Sequence, residues 1–223
     1  MEIGTIGIIG GTGSQGSGLA IRWSIQGYNI RIGSRSEEKG NAAAKKFTEI
    51  AKKNNVSAGS IEGGDNEFAT KSDIVVLAIP ADQVDHLLTP LNHHLDGKVI
   101  LDVTVNLKFG KFPKAELFEG KSSYEYVRDL FPMSKVVACF KTISAEMLNS
   151  MEEMNQTDFQ ISLDEAALEL ASKLALTIGL TPLRIKGKVH AHTIERMVAL
   201  AIQINKGYPG SHAGYLMQNV NIE

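Results

Sequence analysis

Gly11-x-Gly13-x-x-Gly16 has the spacing that phosphate binding asks of a backbone. The spacing alone is common, but its setting is more demanding. An apolar run from Gly4 to Ile9 precedes the loop, and a helix-forming stretch over 14–26 follows it. A strand that enters a helix this way aims unpaired N–H groups and the positive end of the helix dipole at one spot, which suits a phosphate. Gly11 is expected to permit the tight turn, Gly13 to let a pyrophosphate approach, and Gly16 to let helix and strand pack closely. A glycine turn without ligand, or an S-adenosylmethionine loop, would use the same residues.

The end of the second expected strand separates these readings. NAD and S-adenosylmethionine sites place an acid there to accept the ribose hydroxyls. This chain reads Gly33-Ser-Arg-Ser-Glu-Glu-Lys39. Ser34, Arg35 and Lys39 offer a hydroxyl, a guanidinium that makes two parallel bonds, and an ammonium, which together suit a 2′-phosphate. Glu37 and Glu38 fall later, in the first turn of a helix, where acids favour the dipole. The tip therefore points to NADP rather than NAD.

Other reactive residues form no recognisable machinery. Cys139 is the one cysteine of the chain and sits in the apolar run Val136-Val-Ala-Cys-Phe140, as a buried structural thiol would. A single thiol excludes an internal disulfide and fits a reducing cytoplasm. His93 and His94, and His190 and His192, lack a third residue at metal-ligand spacing, so no metal is expected. No Tyr-x-x-x-Lys pair is present, and no catalytic residue is assigned. A carbonyl or imine substrate would need a proton donor, for which Lys141 and His190 are the candidates. Lys108, Lys111 and Lys114 recur every third residue and could meet an anionic ligand tail, or simply face water.

These residues need elements to position them. Alternating strand and helix patterns run through the first half: strands over 4–9, 29–33, 61–63, 73–79 and 98–103, and helices over 14–26, 37–54 and 82–94, the last interrupted by Pro90. The continuous apolar run 73–79 suggests a strand buried on both faces. Residues 108–121 read as loop. Capping-box spacing at Ser122/Glu125 and at Ser162/Glu165 predicts helix starts, the second helix reaching Ile178. Strands are expected over 136–140, 158–162 and 182–185, and a last helix over 190–205. Its face of Met197, Leu200, Ala201 and Ile204 suits a core or a dimer seam. The expected fold is α/β: a Rossmann-type doubly wound, mostly parallel sheet with a C-terminal helical extension. The expected division is a dinucleotide-binding domain over 1–150 and a smaller C-terminal α/β part over 151–223. The 223 residues are 43% hydrophobic and 22% charged, with a formal net charge of −2. That balance fits an ordinary globular protein and argues against a dedicated nucleic-acid binder. No apolar run of membrane-spanning length occurs, and the N-terminus lacks the pattern of a signal peptide.

The segments "GGTGSQGSGLA", "IGSRSEEK", "LAIP" and "KTISA" together resemble the family of NADPH-dependent F420 reductases (F420H2:NADP oxidoreductases). Family members read much like "GGTGNLGKGLA", "VGSRREEK", "LTIP" and "HTIPA", in the same order over most of the chain. The resemblance implies hydride transfer between NADP(H) and coenzyme F420 by a homodimer acting on small molecules. It implies a pyrophosphate loop at Thr12, Gly13, Ser14 and Gln15, and a 2′-phosphate clamp at Ser34, Arg35 and Lys39. Ile79 and Ala81 would line the ribose and nicotinamide side, Val105 and Ala145 would flank the nicotinamide, and Ala213 would touch the deazaflavin. Departures cluster on the substrate side. Lys141 stands where the family has histidine, Ser144 where it has proline, and Ala81 where it has a large aromatic residue. Asp102-Val-Thr-Val-Asn106 replaces a proline-containing segment. A flavin, a ferric chelate or a small carbonyl as acceptor, or a non-catalytic NADP(H) sensor, are the alternatives.

Overall fold

The computed structural model describes residues 3–220. β1 (Ile6–Ile9) passes through the glycine loop into α1 (Ser14–Ile25), β2 (Ile30–Ser34) into α2 (Glu37–Asn54), and β3 (Ile61–Asp65) into the short α3 (Asn66–Thr70). β4 (Ile74–Leu77) leads through a broken helical segment, with α4 (Val84–Leu88) and α5 (Asn92–Leu95), to β5 (Val99–Asp102). A small hairpin, β6 (Leu107–Lys108) and β7 (Lys114–Ala115), precedes α6 (Ser123–Leu130) and β8 (Lys135–Ala138). α7 (Ala145–Ser150), β9 (Thr157–Gln160), α8 (Glu165–Thr177), β10 (Thr181–Arg184) and α9 (Ala191–Gly207) follow.

Six strands form one parallel sheet in the order β3-β2-β1-β4-β5-β8. The fold is the expected α/β doubly wound architecture. β1, β4 and β5 are buried at every position, because helices cover both faces. Neighbouring residues feed opposite cores. Ile8, Val76, Leu101 and Val137 pack with Trp23 of α1 and Leu174 of α8. Ile9, Leu77, Ile100 and Val136 pack with Leu88, Tyr124 and Ile194. Trp23 is fully buried, meets Phe140 edge-on, and donates its indole N–H to the Leu174 carbonyl at 3.1 Å. Among the described residues, no helix is long and apolar enough to cross a membrane.

Several local expectations need correction. The single helix over 82–94 is divided into short α and 3-10 turns, with Pro90 inside one of the latter. The stretch 108–121 is not wholly loop, because Glu116 draws Lys108 and Lys114 together and a hairpin closes. Ser122 and Glu125 do form a reciprocal capping box. Ser162 and Glu165 do not. Asp164 caps α8 by accepting from Ala167 N–H, while Ser162 donates to the Val136 carbonyl. A carboxylate is at least as good a cap and sits two residues nearer the helix.

Among the described residues β9 and β10 pair with each other and not with the main sheet, which the chain just past β9 meets at the Ala138–Ile161 bridge. The chain turns away after β8 because Phe140 adopts a left-handed conformation, with φ 55°. Its N–H is taken by the Asp158 carboxylate instead of a strand. Asp158 is fully buried, and burial pushes its carboxyl from 3.8 up to about 7. Below about pH 4 the group is protonated whether the chain is folded or not. Between about pH 4 and 7 only the folded state keeps the proton, so stability falls as pH rises through this window. Three units at about 1.4 kcal/mol each set an upper bound near 4 kcal/mol. Asp158→Asn is expected to flatten the pH dependence of thermal unfolding between about pH 4 and 7. An unchanged slope would remove Asp158 as its source.

Candidate functional site

The chain order reverses between β1 and β4, which opens a crevice at the carboxyl ends of the strands, where open sheets take ligands. A cavity of about 930 Å³ lies there. The glycine loop forms one wall. The positive φ of the turn falls on Gly10, at +73°, and not on Gly11, so Gly10 makes the turn that had been expected of Gly11. Gly11 instead donates its N–H to the Gly33 carbonyl at 3.0 Å, tying the loop to β2. A Cβ on Gly16 would stand 2.8 Å from Gly11 Cα, so helix and loop approach too closely there for any side chain. A Cβ on Gly13 would stand 3.3 Å from the Gly10 carbonyl oxygen, so a side chain there would crowd the turn.

No side chain caps α1, and its first turn carries no acidic residue. Thr12, Gly13 and Ser14 are exposed. The free N–H groups of this helix end therefore remain available to an anion. Gln15 is used differently. Its side-chain amide donates to the carbonyls of Phe140 and Ile143 at 3.0 and 3.3 Å, bracing the loop against the segment after β8. What Gln15 offers a phosphate is its backbone. Asn149 of α7 donates to the Ser14 carbonyl at 2.8 Å and braces the loop's other side. Nothing in the sequence reading anticipated α7, although Ser144 is an N-cap residue and accepts from Met147 N–H.

Ser34 is buried at the end of β2, whereas Arg35 and Lys39 are exposed. Among the described residues neither cation has an ion-pair partner within 4.0 Å. The neighbouring Ser36 caps α2 by accepting from the Lys39 N–H, which fixes the turn that carries both cations. These three residues, with Gly11, Thr12 and Gly16, lie outside the 930 Å³ cavity. Gly13, Ser14, Gln15, Ile79, Ala81, Val105, Ala145 and Ala213 line it together.

Three features were not foreseen. Ala213 reaches the cavity because Asn205 of α9 accepts its N–H at 2.7 Å, folding the tail back. Glu116 pairs with Lys108 at 2.8 Å and Lys114 at 2.6 Å, so two of the three loop lysines share one carboxylate and are partly neutralised. These hydrogen-bonded ammonium groups hold the Glu116 carboxyl below its usual range. The third feature is a buried ion cluster. Lys141 lines the cavity but is almost wholly enclosed, and donates to Asp102 Oδ2 at 2.8 Å and to the Thr104 carbonyl. Asp102 Oδ1 also accepts from the Thr104 N–H at 2.9 Å and hydroxyl at 2.6 Å. Glu195 of α9 lies 3.9 Å from Lys141 and accepts from Ser123 and Tyr124 N–H at the start of α6. Spacing cannot reveal Asp102, Lys141 and Glu195 as partners, since they come from three distant segments. His190 is exposed and does not line the cavity, so it loses its place as a proton-donor candidate, and His192 lies nearer the cluster. Cys139 is buried, and burial pushes its thiol well above the usual range, as an inert core thiol requires. Among the described residues no three His, Cys, Asp or Glu side chains group as metal ligands would.

Over residues 5–106 the chain matches the family described as NADP oxidoreductase, coenzyme F420-dependent. It is 34% identical to a protein of Methanothermobacter thermautotrophicus named F420-dependent NADP reductase, across 96% of this chain and 95% of that protein. A protein of the same name from Methanocaldococcus jannaschii is 31% identical, across 97% and 99%. Among solved structures, a putative F420-dependent NADP reductase from an Arthrobacter species superposes with a TM-score of 0.75 at 21% identity. It covers 98% of this chain and 100% of that one, a likeness of fold.

Proposed function

The chain belongs to the family of F420-dependent NADP reductases, and from that premise we propose that it transfers hydride between NADP(H) and coenzyme F420 in the cavity beside the glycine loop. The observation that carries this reading is the meeting of two features in one crevice. One is an uncapped helix end without acids. The other is an adjoining cavity of about 930 Å³, large enough for flat rings. When bound, NADPH supplies the hydride, and the deazaflavin accepts it with one proton.

The work of the protein is positioning and exclusion of water. N–H groups at Thr12 and from Ser14 to Gly16 would receive the pyrophosphate, while the Gly13 N–H closes the turn on the Gly10 carbonyl at 3.0 Å. Ser34, Arg35 and Lys39 would hold the 2′-phosphate, which Arg35 and Lys39 can do without leaving another partner. Ile79 and Ala81 would bound the ribose and nicotinamide side, with Val105 and Ala145 flanking the ring. In this reading residues 1–150 hold the dinucleotide, and 151–223 complete the acceptor side through Val198, Ala201 and Ala213, which line the cavity. Lys111 and the partly neutralised Lys108 and Lys114 would leave a net positive approach for the anionic tail of F420. Leu200 and Ile204 on α9 and Tyr208 just past its end lie exposed at four-residue spacing, and Phe109 and Phe112 of the hairpin are exposed too. That apolar face supports a homodimer seam.

Mixing the protein with NADPH and oxidised F420 is expected to remove the visible absorbance of the deazaflavin in step with NADPH loss. NADPH consumption only with a flavin, a ferric chelate or a small carbonyl would assign another acceptor. Tight NADP binding with no turnover on any acceptor would overturn the enzymatic reading.

A further inference from the structure

Hydride transfer to a deazaflavin also consumes a proton, and the cavity wall holds a group that can pass one. Lys141 is the member of the buried cluster that lines the cavity; Asp102 and Glu195 stand behind it. The Lys141 side chain is 1% exposed and both carboxylates 0%. Two of the three ammonium N–H bonds are used, by Asp102 and the Thr104 carbonyl. A second carboxylate oxygen, Glu195 Oε1, lies 3.9 Å from Lys141 Nζ. On its other side, Glu195 Oε2 is 3.5 Å from His192 Nδ1, a buried atom with no hydrogen-bond partner. His192 is itself 28% exposed. The groups thus follow one another from cavity to solvent.

The charges favour a mobile proton at Glu195. One ammonium faces two carboxylates, which leaves a surplus negative charge in a dry site. α6 brings the Ser123 and Tyr124 N–H groups to Glu195, with the Arg128 guanidinium beyond, over the Tyr124 ring at 5.9 Å. β5 brings Asp102, the segment after β8 brings Lys141, and α9 brings His192. Burial pushes the Glu195 carboxyl above its usual range, against the pull of Lys141. A carboxyl so placed keeps its proton to higher pH than an exposed one.

We propose that Lys141, Glu195 and His192 form a relay that carries one proton between solvent and the acceptor ring in the cavity. The proposal rests on the hydride-transfer reading above. The hydride carries two electrons from the NADPH ring to a ring carbon of the acceptor, where a C–H bond forms. Lys141 Nζ gives its one remaining N–H proton to an acceptor ring nitrogen, then turns the lone pair so exposed to Glu195 and takes a proton from that carboxyl, so it is an ammonium before and after. Glu195 recovers its proton from the His192 imidazolium, and His192 recovers its own from water. Reduction of NADP runs the same chain backwards. The 3.9 and 3.5 Å gaps are longer than hydrogen bonds, and unliganded sites commonly tighten on binding.

Two measurements test the relay. Without any ligand, the infrared band of the protonated Glu195 carboxyl, assigned by its loss in Glu195→Gln, is followed against pH. In His192→Gln the titration of this band is expected to move, because the imidazole that stands 3.5 Å from Glu195 Oε2 is gone; an unchanged titration overturns the relay. In turnover, His192→Gln is expected to lower kcat roughly tenfold or more, with an unchanged Kd for NADP, a larger solvent isotope effect, and partial rescue by added imidazole. His192 is partly exposed, so this variant is the one that keeps its fold if Glu195→Gln does not. Wild-type kcat and solvent isotope effect in His192→Gln would overturn the relay while leaving F420 reduction standing. A wild-type chain that fails to reduce F420 would overturn the hydride-transfer reading. The infrared titration would still decide whether Glu195 and His192 share a proton.

Discussion

Arg35→Glu is expected to raise the Kd for NADP about a hundredfold or more while leaving that for NAD within about threefold. A guanidinium meets a phosphate through two parallel charge-assisted bonds, each worth roughly 1.5–3 kcal/mol net. Tenfold in Kd corresponds to about 1.4 kcal/mol. Losing both bonds and placing a carboxylate beside the phosphate therefore exceeds two decades. The fold should tolerate the change. Arg35 is exposed, lies between the end of β2 and the cap of α2, and has no ion-pair partner among the described residues. NAD has a hydroxyl where NADP has the phosphate, and a carboxylate accepts from it. Calorimetric titration of both dinucleotides into wild type and variant gives the ratio directly. Equal losses for the two would remove Arg35 from the 2′-phosphate clamp.

This prediction rests on residues legible in the sequence, and the reason is their locality. The proposed phosphate loop at 11–16, the proposed clamp at 34–39 and the capping box at Ser122 each lie within a few residues, so type and spacing carry the information. The six parallel strands were legible for a related reason, since burial on both faces writes a continuous apolar run into β1, β4 and β5. Effects that depend on chain folding back were not legible. Phe140 turns left-handed because Asp158, eighteen residues on, takes its N–H. That one bond decides that β9 and β10 form a separate pair. The hairpin at 107–115 closes on Glu116, whose role among the lysines spacing did not disclose. Gln15 lies in the phosphate loop by sequence, yet its side chain serves the far side of the cavity wall. Lys141 was visible only as a departure from the family pattern. Its partners at 102 and 195 come from the ends of β5 and the second turn of α9.

That distance in sequence makes Lys141→Met the most demanding test of the site. The variant is expected to lose about 3–5 kcal/mol of stability, the usual cost of removing one partner from a buried ion pair. Methionine fills much the same volume, so the loss is electrostatic and not a cavity effect. Asp102 keeps its bonds from Thr104, and Glu195 keeps the α6 N–H groups, but neither retains a buried cation. For a chain of this length the loss corresponds to a fall in Tm of roughly 10 °C. Its pH dependence has a definite sign. Glu195 already has a raised pKa in the folded state, and without Lys141 the rise is greater. A raised carboxyl pKa favours the fold while the group is protonated, so the defect should shrink as pH falls below neutrality and grow as it rises. Adding Glu195→Gln to Lys141→Met removes one stranded charge and is expected to restore part of the stability. The double change would then cost less than the sum of the two single ones. Chemical denaturation of the four proteins at pH 5.5 and 8 measures both effects. A loss under about 1 kcal/mol, or strict additivity, would mean that Lys141, Asp102 and Glu195 do not act as one buried unit.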